Sequence, residues 1–142
     1  MAAKGSARWY GDLRSGHGQF TAGDSLNGEY SFRSRFEDGP GANPEQLIAG
    51  AHAACYTMAL SSMLAEAGSP PESVQTGATV TLAMVDGAPT ITRIDLVTVG
   101  HVAGLDEGVF IDLAEKAKRD CPVSRALAAV PEVTLKASLA KR

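Results

Sequence analysis

Only two cysteines occur in the 142 residues, Cys55 and Cys121, and they form no CxxC pair. That is too few for the disulfide framework of a small secreted domain. Histidine is equally sparse: His17, His52 and His101 are scattered, without an HxxxH spacing. No metal site is therefore expected. Positive charge is also in short supply, with 13 Lys and Arg against 16 Asp and Glu and a formal net charge of −3. A nucleic-acid partner needs clustered cations and is not expected. The leading segment MAAKGSARWYG has neither an apolar core nor a cleavage site. Nothing in it points to export, and a cytoplasmic protein with reduced thiols is the expectation.

What the chain does have is one long apolar stretch, NPEQLIAGAHAACYTMALSSMLAEAG, from Asn43 to Gly68. It reads as a helix. Asn43 is a good N-cap, and Pro44 loses no hydrogen bond at the first helical position. Glu45 puts negative charge at the positive end of the dipole. Gly68 is a natural stop, and Pro70 and Pro71 forbid continuation. No wide charged face interrupts it, so burial on all sides is expected. His52, Thr57, Ser61 and Ser62 make it too polar to read as a membrane span.

The remaining elements follow from punctuation. Three segments, SARWYGDL, GHGQFTAG and NGEYSFRSRF, are rich in aromatic residues and separated by Gly and Asn, which predicts a three-stranded antiparallel meander ending near Phe36. EDGPGA then forms a loop. After the long helix, Val74–Val85 and Ile91–Val102 flank an Asp86-Gly87 turn as a hairpin. Asp106 to Arg119 carries one apolar stripe, Val109, Phe110, Leu113, Ala114 and Ala117, and reads as an amphipathic helix. Pro122 opens a short helix through Leu127 with Cys121 as its N-cap. Glu132 to Leu139 is a last strand. The order βββ-α-ββ-αα-β is an α+β pattern in a single domain of residues 1–142, with antiparallel sheets around the long helix. One chain has little material to cover that helix. A homodimer with the two helices packed together is expected.

The residues leave several chemistries open. Cys55 lies mid-helix and reads as a small core hydrophobe or as a nucleophile. Cys121, capping a helix before a proline, faces free N–H donors that favour thiolate, or is a chance cap. Together the two could meet as attacking and resolving thiols. His52 precedes Cys55 by three residues and shares its helix face. That spacing allows a Cys–His nucleophile for a hydrolase or acyltransferase, or simple packing. Arg35 at a strand end and Glu45 at a helix start say little by themselves. With both cysteines as core residues, the chain would be a non-enzymatic small-ligand binding protein.

Taken together, RFE at Arg35–Glu37, NPEQLIAGAHAACYTMAL at Asn43–Leu60 and CPVSRAL at Cys121–Leu127 resemble the OsmC branch of the OsmC/Ohr family of thiol peroxidases. The similarity extends over the leading RWYGDL and the DG hairpin. The resemblance implies an OsmC-like intertwined dimer that reduces organic and inorganic hydroperoxides at the expense of an external thiol or dithiol, without metal or cofactor. It implies that Cys55 is the peroxidatic thiol and Cys121 the resolving one. Arg35 matches the arginine that activates the thiolate, and Glu45 the carboxylate paired with it. The match for Arg35 belongs to the OsmC branch alone. The Ohr branch has an aromatic residue at the position of His52, so no required role is implied there.

Helix geometry adds one expectation. Glu45 and Cys55 are ten residues apart, ~15 Å along a helix axis and about 80° apart in azimuth. Glu45 then cannot touch Cys55 of its own helix. The pair can reach the thiolate if Arg35 spans the gap or if the pair comes from the other subunit. With two long helices packed together, a site with Arg35 and Glu45 from one chain and Cys55 from the other is expected.

Overall fold

The computed structural model describes residues 1–141. The chain forms two compact units, Met1–Leu47 and Ile48 onward. In the first, β1 (Gly5–Tyr10), β2 (His17–Ala22) and β3 (Leu26–Tyr30) make an antiparallel sheet in the order β1-β2-β3. Gly18 lies opposite Trp9 and Tyr30, whose rings meet with centroids 5.4 Å apart. A Cβ at Gly18 would come within 2.6 Å of both rings, so the aromatic pair closes over the sheet only because that position has no side chain.

The third strand ends earlier than the sequence suggests. Phe32–Phe36 is a short helix, α1, instead of strand. Ser31 and Ser34 form a reciprocal cap: the Ser34 N–H donates to Ser31 Oγ, and the Ser31 N–H to Ser34 Oγ. This local bonding outcompetes the sheet ladder. Arg35 therefore sits on a helix, not at a strand end.

The long helix α2 spans Pro44–Glu66. Asn43 caps it as expected, its Oδ1 accepting from Gln46 N at 2.8 Å. At the far end Gly68 takes φ 86°, and Ser69 N donates back to Leu64 O at 2.9 Å. By length and composition α2 could cross a membrane, with a mean hydropathy of 1.3. It is not buried on all sides, however. His52, Tyr56, Leu60 and Leu64 form an i, i+4 stripe at 0% exposure, whereas Met58 is 75% exposed. Ala51, Ala54 and Ala65 are exposed as well. The expected cover exists on one face only.

The second unit is built on β4 (Ser73–Val85), β5 (Ala88–His101) and β6 (Glu132–Leu139) in the order β4-β5-β6. β4 and β5 form the expected hairpin, with Asp86 at φ 50° and Gly87 at φ 80° in the turn. Positive φ at both central residues gives the type of turn whose twist suits a hairpin. β4 alternates strictly from Ser73 to Leu82, so Val74, Thr76, Ala78 and Val80 face inward. The sheet is not purely antiparallel as expected: β6 runs parallel to β5, from Arg93↔Glu132 to Gly100↔Leu139. A parallel neighbour needs a long crossover. Here α3 (Glu107–Asp120) and α4 (Pro122–Ala126) provide it.

α3 starts on an Asp106 cap, whose Oδ1 accepts from Val109 N at 3.2 Å. Phe110, Ala114 and Ala117 are its fully buried residues, and Val109 turns outward. The core combines Tyr56, Leu60 and Leu64 from α2, Ile94 and Leu96 from β5, Phe110, Ala114 and Ala117 from α3, and Cys121. The Tyr56 hydroxyl, buried there, donates to Ala114 O at 3.2 Å.

Candidate active site

Cys121 sits where α3 stops and α4 begins. Its N–H still donates to Ala117 O at 3.0 Å, while its side chain caps the next helix. Pro122 enforces the break, since it cannot extend α3 and is suited to the first position of α4. The Cys121 Sγ accepts from Ser124 N at 3.3 Å and donates to Ser124 Oγ at 3.0 Å. The sulfur is 1% exposed.

Cys55, half-buried on α2, is also a free thiol. Burial raises its pKa first. The Val123 backbone N–H draws it down, and the neighbouring Cys121 thiol pushes it up again. The two cysteines, 66 positions apart in sequence, therefore share one microenvironment with the first turn of α4. That is the arrangement in which one sulfur can attack the other.

His52 does not serve Cys55 as a Cys–His pair would require. Its Nε2 lies 2.7 Å from Ser124 Oγ, and its Nδ1 has no partner. Ser124 thus joins Cys121 to His52. The sequence reading overlooked Ser124, although the C-P-V-S spacing of Cys121–Ser124 carries the signal. A capping side chain bonds the residue three positions on.

Arg35 and Glu45 meet within the first unit. Nη2 of Arg35 donates to Glu45 Oε1 at 2.8 Å, and Nε donates to the same oxygen at 3.1 Å. The intervening loop is held by side chains. Ser34 Oγ donates to Ala42 O at 2.7 Å, and Asn43 Nδ2 to Ser34 O at 2.9 Å. Asn43 therefore caps α2 and anchors α1, which sets Arg35 against the start of α2. The guanidinium also lies over the Phe36 ring, 5.3 Å from its centroid. Among the described residues no three His, Cys, Asp or Glu side chains come together as a metal site.

Two free cysteines on separate elements, Cys121 buried and capped and Cys55 packed against the same core, make up the candidate site. The OsmC-like protein family model matches residues 37–136, which takes in Glu45, Cys55 and Cys121 and begins just after Arg35. The chain is 48% identical to Peroxiredoxin OsmC of Escherichia coli (strain K12) over 134 residues, 93% of this chain and 92% of that one. It is 32% identical to the uncharacterized protein YmaD of Bacillus subtilis (strain 168) over 108 residues, 72% of each. Among solved structures, the organic hydroperoxide resistance protein OhrB of Bacillus subtilis matches with a TM-score of 0.75 at 29% identity, covering 99% of this chain and 98% of that one. An OsmC-like protein from Mycoplasma pneumoniae shares the fold, with a TM-score of 0.76 at 15% identity over 99% of both chains. The chain belongs to the OsmC-like family.

Proposed function

We propose that this protein is a thiol peroxidase that reduces organic hydroperoxides, and inorganic peroxide as well, through Cys55 and Cys121. The observation that carries the reading is the placement of two free cysteines, on separate elements, in one core. The Cys55 thiolate attacks the O–O bond, and the alcohol leaves with a proton. Cys55 becomes a sulfenic acid. Cys121 then displaces its hydroxyl as water and closes a disulfide, which an external thiol or dithiol reopens.

The attacking species must be a thiolate, and burial holds the Cys55 thiol up. A permanent cation beside it offsets that penalty, and we assign this part to Arg35. Arginine cannot lose its proton and can also hold the peroxide oxygen as charge develops. Glu45 fixes the guanidinium by the forked pair.

We further propose that the single 142-residue domain works as a cytoplasmic homodimer, free of membrane. The outer face of α2, with Met58 at 75% exposure beside Ala51 and Ala54, is the surface we assign to a second copy. Each site would then take Cys55 and Cys121 from one chain and Arg35 with Glu45 from the other. The alternative built on a Cys55–His52 pair is disfavoured by the Ser124 contact of His52.

Incubating the reduced protein with cumene hydroperoxide and counting free thiols tests the reading. Loss of both thiols, reversed by a dithiol, is expected. Unchanged thiols overturn it, and ester hydrolysis by the same sample would then separate a hydrolase from a ligand-binding protein.

A further inference from the structure

His52 is an expensive residue to keep where it is. It is fully buried on a helix stripe otherwise occupied by Tyr56, Leu60 and Leu64. Burial lowers its pKa, so the imidazole is neutral near pH 7. One ring nitrogen, Nδ1, has no hydrogen-bond partner. Leaving such a buried group unsatisfied is destabilising. An apolar ring would fill the same space without that cost, so a chemical use for the other nitrogen is the better account of it.

That use follows from counting hydrogens. Ser124 has one hydroxyl hydrogen. Its oxygen accepts the Cys121 S–H at 3.0 Å, and the same oxygen lies 2.7 Å from His52 Nε2. In the tautomer with the ring hydrogen on Nδ1, the oxygen accepts from sulfur and its own hydrogen points to the imidazole. The result is a continuous chain, Sγ–H to Oγ–H to Nε2. Cys121 is 1% exposed, which keeps water from taking its proton directly. Yet a thiol must lose its proton to attack.

We infer that Ser124 and His52 form a proton relay for Cys121, serving the step that closes the disulfide. The inference rests on the reading of Cys121 as the resolving thiol. As the Cys121 sulfur attacks Cys55 sulfenic acid, its proton passes to Ser124 Oγ, and the Ser124 proton passes to His52 Nε2. The S–H electron pair becomes the S–S bond. The Cys55 S–O bond breaks, and hydroxide leaves with its pair. The one proton taken from Cys121 neutralises that hydroxide, so the net products are disulfide and water. The Ser124 N–H at 3.3 Å stays on the sulfur while negative charge gathers there. Ser124 touches the reacting atom, whereas His52 acts through it.

A single-turnover experiment tests the relay. The reduced protein receives one equivalent of cumene hydroperoxide, is quenched at intervals with a sulfenic-acid trap, and is weighed by intact mass spectrometry. The readout is the rate of disulfide closure relative to the rate of peroxide consumption. In His52→Gln and Ser124→Ala this ratio should fall about a hundredfold, the lower range for loss of a positioned base. Ser124→Thr, which keeps the hydroxyl, should restore most of it. Closure in His52→Gln at the rate of the unaltered chain overturns the relay. So does an equal slowing of both steps, which marks a merely structural role. If the unaltered chain forms neither sulfenic acid nor disulfide, the peroxidase reading itself fails and the relay fails with it.

Discussion

Arg35 grips Glu45 through two different nitrogens, Nη2 at 2.8 Å and Nε at 3.1 Å from the same carboxylate oxygen. Lysine would keep the charge and lose the fork. Arg35→Lys should therefore fold normally and lose activity by roughly 10²–10³-fold, the scale of one misplaced charge-stabilising donor. Peroxide-dependent thiol loss measured beside circular dichroism checks this. A lysine variant with near-normal turnover would show that charge alone suffices.

Sharing of the site between chains is tested by complementation. Homodimers of Arg35→Ala and of Cys55→Ser should both be inactive. Mixed heterodimers should recover one working site, because one chain supplies Cys55 and the other supplies Arg35. If heterodimers form and stay inactive, each site is made within one chain.

Replacing Cys121 by serine preserves a helix-capping side chain, so folding should survive. The first peroxide equivalent should still be consumed, but the Cys55 sulfenic acid then lacks an internal partner. Excess peroxide should drive it to the sulfinic acid, a gain of two oxygens by mass spectrometry. Repeated cycling without that product would remove Cys121 from the resolving role.

Burial of His52 also links stability to pH. Its pKa in the folded chain is held below the ordinary ~6.5. Between that lowered value and ~6.5 only the unfolded chain takes up the proton. Stability should thus rise with pH through this window and be lost on acidification, by up to about 1.4 kcal/mol per pH unit. Urea midpoints at pH 7.5 and 5.5 should differ more in the unaltered chain than in His52→Gln. Equal differences would mean that His52 is not the linked group. Asp12 and Asp95 are held below the usual carboxylate range, so their contribution falls away only at lower pH.

Local punctuation made much of this legible in advance. Asn43, Pro44 and Gly68 bracket α2 because caps act over a few residues. The Asp86-Gly87 turn and the Cys121 cap were readable for the same reason. Arg35 was misplaced because aromatic strand propensity in NGEYSF masked the Ser31–Ser34 cap. The direction of β6 was missed because parallel and antiparallel neighbours share one propensity and differ only in what connects them. Within one chain α2 is covered on one face only, and Met58, Ala54 and Ala51 are exposed. Apolar character shows that a face seeks cover, not what supplies it. Ser124 escaped notice because its value lies in joining two residues, Cys121 and His52, that are 69 positions apart in sequence.

The parallel placement of β6 has a consequence for synthesis. Cys121 lies on the crossover that leads into β6, the strand docked beside β5. A chain emerging from the ribosome carries Cys55 long before the final residues that seat its partner have been made. Such non-local pairing is slow to form, and chains of this size pass through incompletely packed states. During that interval the first thiol is present without the one that would protect it. On the proposed roles of the two cysteines, a newly made molecule is more vulnerable to peroxide than a finished one.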